Sequence, residues 1–219
     1  MSGKPTLAII GGTGALGSGL ARCWAAAGYP VVLGSRTVDK AASRAAALAS
    51  GGADVRGATN ADAAQAGEVV LLSVPWASHA EILEQIRPHV AGKIVIDATV
   101  PLVPPKVARV QLPAETSAAL AAQKKLGETA RVVAAFHNVA ASKLQTGEEI
   151  DCDVLVFGDA PDDRAAAIAL VEAAGLRGIH AGPLANAVAA EALTSVLIGI
   201  NRRYKVPGAG IRITVLGKG

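Results

Sequence analysis

The sequence is poor in cysteine, in aromatic residues and in charge of one sign, and each shortage closes off a class of protein. Only two cysteines occur in 219 residues, Cys23 and Cys152, far apart and with no CxxC or metal-ligand spacing. A disulfide scaffold and a zinc module are thereby excluded, and both residues are expected to be buried, reduced thiols. The 21 basic residues stand against 18 acidic ones, leaving a formal charge of +3 spread along the chain with no basic tract. That distribution points away from nucleic acid as a partner. Long apolar runs are missing as well: the most apolar late stretch, Leu193 to Ile200, is too short by itself to cross a bilayer and follows Glu191. Before the first apolar run the N-terminal segment carries only Lys4, and the run ends in two glycines, unlike a signal peptide. The expectation is a soluble, cytoplasmic protein with no membrane partner. Aromatic residues supply 3% of the chain although 51% is hydrophobic, so Ala, Val, Leu and Ile must build the core, which suits helices packed on a buried parallel sheet.

What is present is an alternation of short β-branched runs with longer Ala-rich segments of helical period, the pattern of repeated βα units. Strands are expected over residues 6–10, 30–34, 54–57, 69–74, 93–97, 131–135, 154–158 and 176–180, and helices over 14–27, 38–50, 60–66, 76–87, 115–126 and 161–174. In the first helix Leu16, Leu20, Cys23, Trp24 and Ala27 recur on one stripe, which makes Trp24 a core residue. The last segment changes character: a long helix from 183 to about 204, a Pro207-Gly208 turn and an alternating strand over 211–215. The fold expected is α/β, a Rossmann-type, mostly parallel, doubly wound sheet with a small C-terminal helix-strand cap. Residues 1–182 would form the dinucleotide-binding domain and 183–219 the cap. Leu193, Val196, Leu197 and Ile200 on the last helix would offer a surface for a homodimer.

The first strand runs directly into Gly12-Thr13-Gly14-Ala15-Leu16-Gly17, and a helix begins inside the motif. A lone GxGxxG is weak evidence, but strand, motif, helix and second strand in this order describe a dinucleotide turn. The glycines allow a tight turn, a close approach of backbone to pyrophosphate and close helix–strand contact, while the helix N-terminus offers free N–H groups to the anion. Thr13 and Ser18 are further hydroxyl donors. The second strand ends in Gly34-Ser35-Arg36, where NAD-binding folds place an acidic residue for the ribose hydroxyls. Here a hydroxyl and a guanidinium stand instead, with Lys40 one helical turn on, a set that favours the ribose phosphate of NADP. Against this, Asp39 is a neighbour able to neutralise the two cations.

Three later segments fall at carboxyl ends of expected strands, where open α/β sheets bind ligands. Val74-Pro75-Trp76, with His79 following, opens a helix; Trp76 either walls the nicotinamide site or packs on its own helix, and His79 either joins it or faces solvent. The stretch from Thr99 to Pro113 holds Pro101, Pro104, Pro105 and Pro113 and must be a stiff loop, whose Leu102 and Val103 suit a flat ring. His137 and Asn138 follow the sixth strand. His89 and His180 read as structural. No Ser-His-Asp, Ser-Tyr-Lys or metal-ligand constellation stands out.

Taken in order, Gly11-Gly12-Thr13-Gly14-x-Leu16-Gly17, Gly34-Ser35-Arg36 with Lys40, Val74-Pro75-Trp76 and Pro101-Leu102-Val103-Pro104 resemble the NADPH-dependent reductases of coenzyme F-420, an 8-hydroxy-5-deazaflavin. The likeness continues through Phe136-His137-Asn138-Val139-Ala140-Ala141, Ala181-Gly182-Pro183-Leu184-Ala185-Asn186 and Gly210-Ile211-Arg212-Ile213, nearly end to end. The resemblance implies NADP contacts at Thr13 to Leu16, Ser35, Arg36, Lys40, Val74, Val103 and Ala141, with Pro75 beside them. It also implies that His137 lies near the deazaflavin, with Trp76, His79, Leu102 and Asn138 around the second substrate. The implied reaction is hydride transfer between NADP(H) and coenzyme F-420, with a proton exchanged at the ring nitrogen, in which the protein chiefly stacks two rings and excludes water. Two other readings stay open: an NADP-dependent reductase of an imine, a 2-oxo acid or a flavin, for which Lys143 would be the acid, and a non-catalytic NADP-binding sensor module.

Overall fold

A computed structural model describes residues 3–49 and 52–214. Six strands form one wholly parallel sheet in the order β3-β2-β1-β4-β5-β6: β1 (Leu7–Ile10), β2 (Val31–Ser35), β3 (Val55–Thr59), β4 (Val69–Leu72), β5 (Ile94–Asp97) and β6 (Arg131–Ala134). The expected Rossmann-type α/β architecture is thus observed. The chain moves outward from β1 to β3, then crosses back to lay β4 on the other side of β1, with Ile10 level with both Gly34 and Leu72. The connections leave in opposite directions at the carboxyl ends of β1 and β4, and a crevice opens between them.

Burial on both sides explains why β1, β2, β4 and β5 carry apolar runs, whereas the edge strand β3 is mostly not buried and admits Arg56 and Thr59. One face carries Leu7, Ile9, Leu33 and Ile96 against Leu20 and Trp24 of helix α1 (Ala15–Ala26). Trp24 is 1% exposed, meets Phe136 edge-on at 6.0 Å and donates its indole N–H to the Leu170 carbonyl at 2.7 Å. It is the core residue that its helical stripe indicated. The other face carries Ala8, Ile10, Val70, Leu72 and Val95 against Ile82, Leu83 and Ile86 of α4 (Trp76–Ile86) and Leu126 of α5 (Ala118–Leu126). The remaining βα connections are α2 (Val38–Leu48) and α3 (Asn60–Ala66).

Several boundaries differ from expectation for identifiable reasons. Strand β4 stops at Leu72: the Ser73 N–H makes one more bond, to the Ile10 carbonyl at 3.0 Å, and Pro75, with no N–H to give, stands as the N-cap of α4. Helix α5 begins at Ala118, not at 115: Thr116 adopts a left-handed φ of 70° and Ser117 accepts the Leu120 N–H as N-cap. The expected end of the second helix at Ser50 lies outside the described residues. A short helix, α6 (Ala141–Thr146), went unexpected; its six residues give no full apolar period. It sits on the start of α1, where Gly19 makes room for Leu144, and Arg22 donates to the Leu144 carbonyl at 3.1 and 2.6 Å.

Strands β7 (Asp153–Val156) and β8 (Arg177–His180), joined by α7 (Pro161–Ala173), do not extend the main sheet. They form a separate parallel pair, tied to β6 by reciprocal hydrogen bonds between Ala134 and Phe157 at 2.8 and 3.0 Å. The expected terminal strand over 211–215 is not formed at 211–213, and Val215 lies outside the described residues. Ile211 accepts the Asp153 N–H at 2.7 Å, but the next link goes from the Ile213 N–H to the Asp153 carboxylate at 2.6 Å. A side chain there replaces the backbone acceptor and the ladder ends after one bond. The same carboxylate takes a two-pronged grip from Arg177 at 2.6 and 2.7 Å, which holds it well below the ordinary range.

The last helix, α8 (Ala187–Tyr204), follows a single 3-10 turn, Leu184–Asn186. Leu184 to Tyr204 make 21 residues, and an 18-residue stretch within them has mean hydropathy 1.4, enough by length and composition to cross a bilayer. The short apolar core read from the sequence therefore understates the helix, since Leu184, Val188 and the alanines before Leu193 carry the apolar character toward its N-terminus. A third of that window is buried, and Glu191, Ser195 and Leu197 face the protein body. Cys152 is buried and Cys23 only half-buried, contrary to the expectation for the latter; neither is in a disulfide. Burial raises both thiols, that of Cys152 to about 11.

Candidate functional site

The crevice between β1 and β4 is built by the glycine turn. Gly11 carries the left-handed φ of 77°, so the sharp turn falls one residue before the expected Gly12. Gly12 is buried beneath it, with Ile9 oxygen and Leu33 each 2.9 Å from where a Cβ would stand. Gly14 precedes α1 as its N-cap and meets only the Gly11 oxygen, at 3.3 Å, so backbone lies open to an approaching group. No side chain caps α1 and no acidic residue occupies its first turn. The first-turn amides of Ala15, Leu16 and Gly17 therefore have no capping side chain, an arrangement suited to an anion at this helix end. Ser18, expected as a donor to the ligand, is 4% exposed and gives its hydroxyl to the Gly14 carbonyl at 2.7 Å. Proximity within one helical turn satisfies it internally.

A cavity of about 200 Å³ at this helix end is lined by Gly11, Thr13, Gly14, Ser35, Arg36 and Lys40 on one side and by Asn60, Ser73, Val74 and Pro75 on the other. Ser35, buried at the end of β2, accepts the Thr37 N–H at 3.3 Å and shapes the turn that throws Arg36 outward. Arg36 and Lys40 are exposed and take part in no ion pair or side-chain hydrogen bond among the described residues. Asp39, the expected neutraliser, forms no ion pair with either: successive positions on a helix point apart. Two residues of this wall escaped notice in the sequence. Asn60, 4% exposed, accepts the Gly11 N–H at 3.4 Å and so links the glycine turn to α3. Ser73 donates to the Ile10 carbonyl at 3.1 Å. Position at strand ends on the carboxyl edge was the available signal for both.

Farther along the same edge lies a buried polar group. Asp97, the last residue of β5, is fully buried; one oxygen receives His79 Nε2 at 2.8 Å and the other the Thr99 N–H at 2.9 Å. His79 is 1% exposed, not solvent-facing. The helical turn from Trp76 carries it inward onto the carboxylate. The half-exposed Trp76 ring lies tilted over it at 5.1 Å. Both residues line a groove of about 490 Å³ between α4 and α5 with Ala80, Leu83 and Lys125. That groove is separate from the glycine-turn cavity, so Pro75 and Trp76 face different spaces.

Past β6, Phe136 adopts a left-handed φ of 69° and turns the chain. His137 is 7% exposed and neither ring nitrogen makes a hydrogen bond of good geometry, the backbone of Asp97 being the polar group it approaches. Burial drives its pKa down to about 4 against the opposing pull of Asp97, so it is neutral near pH 7. Asn138 is committed to structure: its amide donates to the Ala190 carbonyl at 3.0 Å and to Thr194 at 3.1 Å, fastening this turn to α8. The proline segment 98–117 contains no regular element, as expected; Leu102 is half-buried and Val103 44% exposed. Ala141 opens α6. Val103, Leu102 and Ala141 border none of the cavities around the glycine turn. His180 is exposed at the end of β8 and His89 partly so.

Glu191 of α8 locks the loop's far end. Its oxygens accept the Ala118 and Ala119 N–H groups at 2.6 and 3.1 Å, yet burial raises its pKa to about 8, with Asp97 adding to the rise. The ordinary value is 4.5, so as pH rises the unfolded chain releases this proton first. The residue's contribution to stability is complete below about pH 4.5 and is lost progressively up to about pH 8. Glu191→Gln should remove this slope, worth on the order of a few kcal/mol. Denaturant midpoints at about pH 5 and about pH 8 check it; the wild-type protein should lose stability between them relative to the variant, and parallel slopes would refute the assignment.

A parallel sheet in this order, with an uncapped helix N-terminus and free cations at the end of β2, defines a dinucleotide-binding protein of the Rossmann class. Comparison with known proteins narrows the class. Residues 6–101 match the family described as NADP oxidoreductase, coenzyme F-420-dependent. The F-420-dependent NADP reductase of Methanothermobacter thermautotrophicus is 44% identical over 96% of this chain and 95% of its own length. That of Methanothermobacter marburgensis is 39% identical over 96% and 98%. An Arthrobacter sp. FB24 protein, provisionally designated an F-420-dependent NADP reductase, shares the fold with a TM-score of 0.81 at 24% identity, covering 96% of this chain and 99% of the other. The chain belongs to the F-420-dependent NADP reductase family.

Proposed function

We propose that this protein transfers a hydride between NADP(H) and coenzyme F-420, holding NADP in the β1/β4 crevice. The observation that carries the assignment is the set of free cations, Arg36 and Lys40, facing a cavity whose opposite pole is the uncapped N-terminus of α1. A dinucleotide with a pyrophosphate and a ribose phosphate matches both poles, and no carboxylate stands at the end of β2 to repel the latter. The near full-length identity to the archaeal reductases supports coenzyme F-420 as the second substrate.

NADPH supplies a hydride from nicotinamide C4, which F-420 accepts together with a proton. The chain's own residues bind and orient. Amides at positions 15–17 hold the pyrophosphate, Ser35 and Arg36 the ribose phosphate, and Val74 and Pro75 wall the crevice toward β4. His137, neutral and with neither nitrogen in a hydrogen bond of good geometry, offers one N–H and one lone pair to a polar ring edge. Mixing the purified protein with NADPH and F-420 and following the loss of both absorbances tests the function; no turnover with F-420 would refute it.

Arg36→Ala should weaken NADPH binding about 10- to 100-fold, the range of a hydrogen bond to a charged group, and NADH binding by less than about threefold. Calorimetric titration of both nucleotides distinguishes the two, and equal losses would show that Arg36 does not contact the phosphate.

The protein is read as a soluble homodimer. On α8, Val196, Ile200 and Tyr204 recur every fourth residue and are exposed, with Leu112 of the proline segment 59% exposed. Leu197, also expected on that surface, instead points inward at 7%. Sedimentation at micromolar concentration should give twice the chain mass, and Ile200→Glu should give the monomer.

A further inference from the structure

The cations of the β2 turn continue one turn deeper than the sequence motif indicates. Beside the glycine-turn cavity lies a second groove, of about 600 Å³, lined by Thr13, Asp39, Lys40, Ser43, Arg44 and Ala47. Thr13 and Lys40 border both spaces, so the groove adjoins the dinucleotide cavity between the glycine turn and the outer side of α2. Lys40 and Arg44 are four residues apart on that helix and therefore stand one above the other. Both are exposed, and Arg44, like Lys40 and Arg36, has no ion pair or side-chain hydrogen bond among the described residues.

Three unpaired cations within nine residues, against the one carboxylate of Asp39 that shares the groove, leave a net positive charge that an anion relieves. The pyrophosphate is already matched by the amides of α1, so the anion left for this groove is the ribose phosphate, reached past Thr13. A guanidinium presents a planar fork to phosphate oxygens, which Lys40 as a point charge does not, and Ser43 and Thr13 add hydroxyl donors from the two walls.

We infer that Arg44, with Ser43, is a specificity-determining part of the 2′-phosphate subsite, gripping that phosphate from the α2 side while Arg36 holds it from the β2 turn. The inference rests on the assignment of the crevice to NADP. Arg44 acts on binding only and takes no part in the hydride step.

The test measures dissociation constants of NADPH and NADH, and of 2′-phospho-AMP and AMP as probes of the subsite alone, for wild type, Arg44→Ala, Arg44→Lys, Arg44→Glu and Arg36→Ala. Arg44→Ala should weaken the two 2′-phosphorylated ligands about tenfold and change NADH and AMP by less than about twofold. Arg44→Lys should restore part of the loss and Arg44→Glu should deepen it. Arg44 is exposed, so melting temperatures should stay near wild type. A selective loss in Arg36→Ala with none in Arg44→Ala would overturn the role of Arg44 and leave the NADP assignment intact. A wild-type protein that binds NADPH and NADH equally would overturn both. Equal weakening of phosphorylated and unphosphorylated ligands would reduce Arg44 to general attraction and likewise sink the proposal.

Discussion

Gly17→Val is expected to abolish NADPH binding, raising the dissociation constant at least about 100-fold, or close to 3 kcal/mol. A Cβ at position 17 would stand 2.7 Å from Ser73 Oγ, 3.0 Å from the Gly11 oxygen and 3.0 Å from Gly12 Cα. Two of these obstacles are backbone of the glycine turn itself, and the third hydroxyl is fixed by its bond to the Ile10 carbonyl. The two backbone atoms do not yield by a rotamer change, and Ser73 turns aside only by giving up its bond, so α1 must shift away from the turn. Its first-turn amides then lose the common aim that makes them an anion seat, and Gly14 no longer holds backbone at the cavity floor. Overpacking of this kind also costs stability, about 1–3 kcal/mol, so nucleotide titration should be paired with thermal melting in the absence of ligand. A folded variant that binds NADPH within threefold of wild type would show that the seat does not depend on this contact.

That contact illustrates what could be read from the sequence. The third glycine of the motif was legible as a point of close approach because a strand and a helix flank it at fixed distances. The central strands of the sheet were legible for a similar reason: both faces are buried, so β1, β2, β4 and β5 each carry an apolar run. The Ser35-Arg36 pair stood out because it replaces a carboxylate whose position is set by the geometry of β2. The less legible features depend on contacts between distant segments. Burial of His79 follows from Asp97, eighteen residues on, and the commitment of Asn138 to α8 follows from Ala190 and Thr194. Arg44 shows no signal in a helix full of alanines until the groove beside it is seen. Strand β7 was placed correctly, but nothing local in it revealed that it pairs with β8 outside the main sheet. The missing terminal strand has the clearest cause: alternation in 211–215 predicted a ladder, and a single carboxylate, Asp153, intercepts its second bond.

The remaining large effect is expected at His137. Its side chain is 7% exposed, yet neither nitrogen makes a hydrogen bond of good geometry, and an unsatisfied buried polar group costs about 1–3 kcal/mol unless a ligand completes it. Folding tolerates that cost here because Phe136, held in a left-handed turn, fixes the ring at the carboxyl edge beside Asp97. With a pKa depressed to about 4 by burial, the ring donates one hydrogen bond and accepts another as a neutral imidazole throughout the neutral range. In the proposed function it would orient the second substrate and would not deliver the proton as a cation. His137→Leu should lower kcat/KM for F-420 reduction about 100-fold, as expected when a positioned polar contact to the reacting ring is lost, and leave NADPH affinity within about twofold. His137→Asn, which keeps a donor and an acceptor, should recover part of the rate. The sign of the pH effect is equally definite: the unfolded histidine protonates first as pH falls below about 6.5, so wild type loses stability toward acid that His137→Leu retains. Steady-state rates with F-420 varied, nucleotide titrations, and melting curves from about pH 5 to about pH 8 measure all three. A full rate in His137→Leu would remove this residue from the site, and an equal loss of NADPH affinity would move it from the second substrate to the dinucleotide.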